Sequence, residues 1–152
     1  MDLSISVCKK LFFDYEVYIK STNCSGDPDF VMDAIGAIKK YNTEAVTGEK
    51  LIPLVDTLQL YLQNLEIYIE IHSLEDDVNA NCAYRALEAV IETFFFLSMG
   101  EPECVCNAVS NLLINTYQKV QNNKALTRAE AVNHPSVQAV MTFLLSSVPQ
   151  HA

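Results

Sequence analysis

The feature that most constrains the fold is a nearly apolar run of fourteen residues, 86–99, interrupted by the charged residues Glu88 and Glu92. A helix that is apolar on most of its sides is enclosed by neighbouring elements instead of lying on a surface. The run is also shorter than the ~20 residues that a helix needs to cross a bilayer. It therefore predicts the central, buried helix of a soluble helical domain.

Apolar residues recur at intervals of three and four on both sides of this run, which is the period of amphipathic helices. The pattern predicts helices over residues 3–21, 28–41, 52–71, 75–99, 102–122 and 135–148, with a short helix after Thr127. At 152 residues the chain has the size of one domain. We therefore expect an all-α, single-domain bundle of about seven helices spanning residues 1–152.

Capping residues mark several of the predicted ends. Asp27 precedes Pro28 as an N-cap, and Gly100 is placed as a left-handed C-cap after the central helix. Two capping boxes are predicted, one formed by Ser73 with Asp76 and one by Thr127 with Glu130. In the last helix, the residues expected to face inward are Val137, Val140, Met141, Leu144 and Leu145.

The stretch 43–77 admits two interpretations. Pro53 should break a helix or mark its first turn, and the Tyr and Ile content would also suit strands. No Asn-Gly or Asp-Gly hairpin turn occurs in the chain, which favours the helix over 52–71.

Charge and cysteine usage exclude several classes of function. Nineteen acidic against ten basic residues give a net charge of -9, so phosphate backbones and anionic membranes should repel the chain. We expect no nucleic-acid partner and no membrane span. The N-terminus lacks a signal-peptide pattern, no C-terminal anchor is visible, and five scattered cysteines indicate free thiols, which together predict a cytoplasmic protein.

No motif in the sequence predicts catalysis. His72, His134 and His151 lack a second metal ligand at helical spacing, and Gly-rich phosphate loops are absent. The paired carboxylates stand where helices begin and negative charge favours the macrodipole: Asp76, Asp77, Glu101 and Glu103. We therefore expect no enzyme, no metal and no cofactor. The alternative is a small enzyme that uses Cys82 or Cys104 as its nucleophile.

The order of helices around a central apolar helix resembles the Bcl-2 fold. The segment 78–87 falls where that family carries Asn-Trp-Gly-Arg, and Arg85 is retained while Cys82, Ala83 and Tyr84 replace the other three residues. The segment 32–37 is similar to the family's homology-3 helix, with Gly36 kept. The missing hydrophobic tail and the short connection between the first two helices resemble compact homologues encoded by large DNA viruses.

This resemblance implies an inhibitor of apoptosis that sequesters the amphipathic helix of a Bim-type pro-death protein in a surface groove. The groove residues it implies are Met32, Ile35, Leu58, Leu62, Leu87 and Val90. Arg85 would pair with the ligand's aspartate, although it could instead pair with Asp77 or Glu88 of its own helix. A different class of function remains open, a self-assembling adaptor bundle that forms a homodimer and accepts no peptide.

Overall fold

The computed structural model describes residues 1–43 and 48–147, and these residues contain seven α-helices and no strand. The helices are α1 (Asp2–Ser21), α2 (Pro28–Thr43), α3 (Gly48–Ile71), α4 (Val78–Met99), α5 (Pro102–Lys124), α6 (Arg128–Val132) and α7 (Pro135–Ser146). The all-α class predicted from the sequence is confirmed. None of the helices in the described ranges is long and apolar enough to cross a membrane.

The central position predicted for the apolar run is confirmed. Helix α4 packs against α1, α2, α3 and α5, with α1 and α5 as its most extensive neighbours. Val90 and Phe94 are completely buried, in one hydrophobic cluster that draws on α1 to α5 and on Leu144 of α7. A second, small cluster formed by Val120, Ala131 and Val137 holds α6 and α7 against α5.

Three of the predicted helix ends are confirmed. Asp27 caps α2, since its Oδ1 accepts the backbone N–H of Phe30 at 3.1 Å. Gly100 ends α4 in the left-handed conformation with φ 70°, where glycine meets no steric penalty. Thr127 and Glu130 form the reciprocal capping box at the start of α6.

The capping box predicted for Ser73 and Asp76 is wrong. Ser73 belongs to the end of α3, with φ 53°, and the bonds from Ser73 N to Glu70 O and from Leu74 N to Ile69 O form a Schellman motif. Helix α4 consequently begins at Val78 and not at residue 75, and its cap is Asp77, whose Oδ1 accepts the N–H of Ala80 at 2.8 Å.

The stretch around Pro53 is helical, as the sequence favoured, but α3 begins four residues earlier than predicted. Pro53 is the sixth residue of the helix, so its missing N–H removes one bond near the helix start, where breaking the ladder costs least. Thr57 Oγ1 donates to the carbonyl of Pro53 at 2.9 Å.

The inward orientation predicted for Met141 and Leu145 is wrong. Both side chains are exposed, Leu145 by 70%, because α7 lies at the edge of the bundle and packs on α5 and α6. It buries the narrow stripe that contains Val137 and Leu144. Its predicted end at residue 148 falls outside the described residues, as does His151.

Candidate functional site

One side of the central helix α4 is not enclosed. Successive helical residues are about 100° apart, so Asn81, Tyr84, Glu88 and Phe95 fall along one side, and all four are half-buried. Helices α3 and α5 make no extended contact with each other over the described residues. These four residues therefore form a partly exposed strip of α4 between α3 and α5, which we call the α4 furrow.

Side chains from α3 and α5 define the two borders of the furrow. Partial burial, followed by the carboxylates of Glu88 and Glu66, raises the pKa of Tyr84, so the α3 residue Glu66 acts electrostatically on the phenol. On the α5 side, Asn111 Nδ2 donates to Glu88 at 3.3 Å. The furrow thus has an aromatic floor and an acidic border.

A polar seam joins α4 to α5 along the second border. Arg85 Nη1 donates to Gln118 Oε1 at 2.6 Å, and near the other end burial, followed by the carboxylate of Glu92, raises the pKa of the Cys104 thiol. Positions 85, 88 and 92 lie on one side of α4 and meet residues of falling number on α5, as antiparallel helices require. The seam holds the charged side chains of α4 toward α5.

Asn115 is the best-connected side chain of this seam and is almost fully buried. Its Nδ2 donates to the carbonyl of Cys82 at 2.9 Å and to Asp14 at 3.2 Å, while its Oδ1 accepts from Arg85 at 3.4 Å. Asp14 also forms an ion pair with Lys119. One amide thereby connects α1, α4 and α5 and positions the guanidinium of Arg85.

A recess of about 650 Å³ opens beside Arg85, at the N-terminal end of the furrow. Its lining residues are Glu75, Asp76, Val78, Asn81, Arg85, Gln118, Gln121 and Asn122. The two acceptors of Arg85 are neutral amides, and Nε and Nη2 have no hydrogen-bond partner among the described residues. Among the described residues, Arg85 forms no ion pair with Asp77 or Glu88, the two partners that the sequence left open. Arg85 is therefore fixed in position by two neutral amides, while its Nε and Nη2 donors are available to a ligand.

No protein-family model, curated protein or solved structure matches this chain.

The structure separates the predicted groove residues into two groups. Ile35, Leu58, Leu87 and Val90 lie together in the main core and are at most 1% exposed. Leu62 is half-buried against that core, and Met32 is exposed on α2. Arg85 points to α5, away from the four core residues. Most of the predicted groove residues therefore belong to the buried core and do not line a groove at the surface.

Helical geometry explains this separation. Leu87 follows Arg85 by two positions, and residues two apart lie on opposite sides of a helix. The same rule indicates Glu88, three positions after Arg85, as its neighbour on the partly exposed side. Tyr84 and Phe95 lie four and seven positions from Glu88 and share its side of the helix, a signal that was present in the sequence. The α5 partners Asn111, Asn115 and Gln118 carried no such signal, because their role depends on how α5 packs.

The four buried thiols are poorly suited to nucleophilic chemistry. Burial raises the pKa of Cys8 to about 12 and of Cys82 to about 11, and burial also raises the pKa values of Cys24 and Cys104. Thiolate is the reactive form, so little of it is present at neutral pH. The described residues contain no group of three or more His, Cys, Asp or Glu side chains arranged for a metal ion.

Proposed function

We propose that this protein binds the amphipathic helix of a Bim-type pro-death protein in the α4 furrow and inhibits apoptosis by sequestering it. The observation that carries the proposal is Arg85, a half-buried cation beside the furrow that contacts neutral amides and keeps Nε and Nη2 for a ligand. The resemblance of the helix order to the Bcl-2 fold supports the same function.

The ligand contacts follow from the chemistry of the furrow. Apolar residues of the bound helix would pack on Tyr84, Phe95 and Leu62, each of which is half-buried and attached to the main core. The ligand's aspartate would reach the free donors of Arg85 in the recess. Charge-assisted bonds of this kind are stronger than neutral ones and are often bidentate for arginine. Pocket spacing would then select the register of the helix.

The acidic border adds a second criterion of selectivity. Glu66 and Glu88 lie at the furrow, and Glu92 continues the same side of α4. A ligand helix with Lys or Arg beside its apolar residues complements these carboxylates, whereas an acidic helix meets repulsion. We therefore expect a narrow choice among pro-death helices.

The test compares the two arginines of the chain. Arg85→Ala removes the recess cation, and Arg128→Ala removes an equal charge from the exposed start of α6. We expect Arg85→Ala to weaken binding of a fluorescent Bim-type peptide at least about tenfold, which is about 1.4 kcal/mol. Arg128→Ala should leave the dissociation constant within about twofold.

A peptide whose aspartate is replaced by alanine completes the cycle. With that peptide, the difference between wild type and Arg85→Ala should disappear, because the pair being measured no longer exists. Equal affinity of the two proteins for the original peptide would reject Arg85 as the ligand contact. A stable dimer whose sedimentation is indifferent to the peptide would reject the binding function and support the adaptor.

A further inference from the structure

Helix α3 exposes four large aliphatic side chains on its solvent side. Ile52, Leu60, Ile67 and Ile71 are 57%, 52%, 47% and 71% exposed. Their spacing of eight, seven and four residues keeps them within about 100° around the helix axis and spreads them over about 29 Å along it. We call these four residues the α3 outer face.

The α3 outer face is distinct from the side of α3 that packs against the bundle. Leu58 and Leu65, on the opposite side of the helix, are fully buried and belong to the main core. A helix that packs on one side ordinarily carries polar residues on the other, whereas this side of α3 also carries the four aliphatic side chains, which alternate with Glu49, Asp56, Gln63 and Glu70. A shallow depression of about 540 Å³ lies beside Leu60, and its other lining residues are Asp56, Gln59, Leu62, Gln63 and Glu66.

The charges around the face are of one sign. Glu49, Asp56 and Glu70 fall within the same arc of α3 and are exposed, and Glu66 lies at its edge. These carboxylates form no ion pair within the part of the chain that the structure describes. The single lysine of α3, Lys50, lies about 100° away from the centre of the face.

This charge pattern decides which occupant suits the face. A second copy of the chain would bring carboxylates against carboxylates, which disfavours association. A partner with Lys or Arg beside its apolar residues would neutralise the same groups. We propose that the α3 outer face docks a basic amphipathic helix of another protein, laid along α3 with its apolar residues between Ile52 and Ile71. The four aliphatic residues of this face do not belong to the α4 furrow, and Leu62 and Glu66 lie between the two surfaces.

The experiment uses a synthetic amphipathic peptide of leucine and lysine, about 20 residues long to match the face, and its leucine–glutamate counterpart. Fluorescence anisotropy measures binding to the full chain and to the double variant Leu60→Gln/Ile67→Gln. The matched control is Met141→Gln/Leu145→Gln, which removes two exposed aliphatic side chains from α7. Circular dichroism verifies that both variants retain their helices.

We expect the α3 variant to weaken binding of the leucine–lysine peptide at least about tenfold, the α7 control to change it by less than about twofold, and the leucine–glutamate peptide to bind at least about tenfold more weakly. Binding should persist when the Bim-type peptide is present in excess. Equal losses in both variants, or equal affinity for the two peptides, would overturn the proposal. So would sedimentation showing that the α3 substitutions dissolve a homodimer, since the occupant would then be a second copy.

Discussion

Single side chains with several partners fix the geometry of this protein at the residue scale. Asn115 connects α1, α4 and α5 with one amide, and its bond to the carbonyl of Cys82 is buried. A buried polar group that loses a partner costs about 1–3 kcal/mol, so such a residue tolerates little change. Gly26 is equally intolerant of substitution, because there is no room for a larger side chain at its position.

A methyl group at Gly26 would collide with the hydroxyl of Tyr15 and press on Ile19. We expect Gly26→Ala to destabilise the protein by about 1–3 kcal/mol, the usual cost of overpacking, as measured by thermal unfolding. Gly36→Ala is the matched control, because a Cβ there meets nothing within 4 Å, and it should stabilise α2 by about 0.5–1 kcal/mol.

Repeating the substitution in a Tyr15→Phe background isolates the cause. Removing the hydroxyl should recover most of the stability that Gly26→Ala loses. If the loss is the same in both backgrounds, the clash with Tyr15 is not its source.

At the scale of the element, the ends of α3 and α4 show how one connection assigns neighbouring residues to different helices. Ser73 closes α3 in the left-handed conformation, and four residues later Asp77 opens α4. The sequence predicted a capping box of Ser73 with Asp76 and did not single out Asp77 as the cap. The Schellman motif assigns Ser73 to the end of α3, and Asp77 caps α4 instead.

Asp77→Ala is expected to lower the free energy of unfolding by about 0.5–2 kcal/mol, because the N–H of Ala80 loses its acceptor. Asp76→Ala, which removes an exposed carboxylate from the preceding position, should change the free energy of unfolding by less than about 0.5 kcal/mol. Chemical denaturation of the two variants beside the wild type measures the difference. A larger effect at Asp76 would mean that the helix begins where the sequence alone suggested.

At the scale of the whole molecule, burial of thiols and phenols in the core makes the stability of the fold depend on pH in the alkaline range. The pKa is raised by burial to about 12 for Cys8, to about 12 for Tyr18 and to about 11 for Cys82. Unfolded thiols ionise near pH 8.5, so above that value the unfolded chain binds fewer protons than the folded protein. Stability is then lost as pH rises.

We expect the free energy of unfolding to be level near neutral pH and to fall between about pH 9 and 12. Urea unfolding at a series of pH values measures it. Cys8→Ala should flatten the decline, whereas Cys106→Ser, which alters an exposed thiol, should leave the shape of the profile unchanged. A wild-type profile that stays level up to pH 11 would contradict the burial of these groups.

The sequence by itself determined the helical class, six of the seven helices to within a few residues, the central position of 86–99, and the caps at Asp27, Gly100 and Thr127. Each of these depends on interactions between residues close in the chain, such as periodicity, turn conformation and capping. It also singled out Arg85 as the residue to examine.

The tertiary structure decided which sides of those helices are used. It placed Leu87 and Val90 in the core, turned Arg85 toward Gln118 and Asn115, and left one side of α3 uncovered. These outcomes depend on contacts between residues some thirty positions apart or more, and local pattern carries no record of which helix lies beside which. The furrow and the α3 outer face exist because the four helices packed against α4 surround it incompletely and unequally.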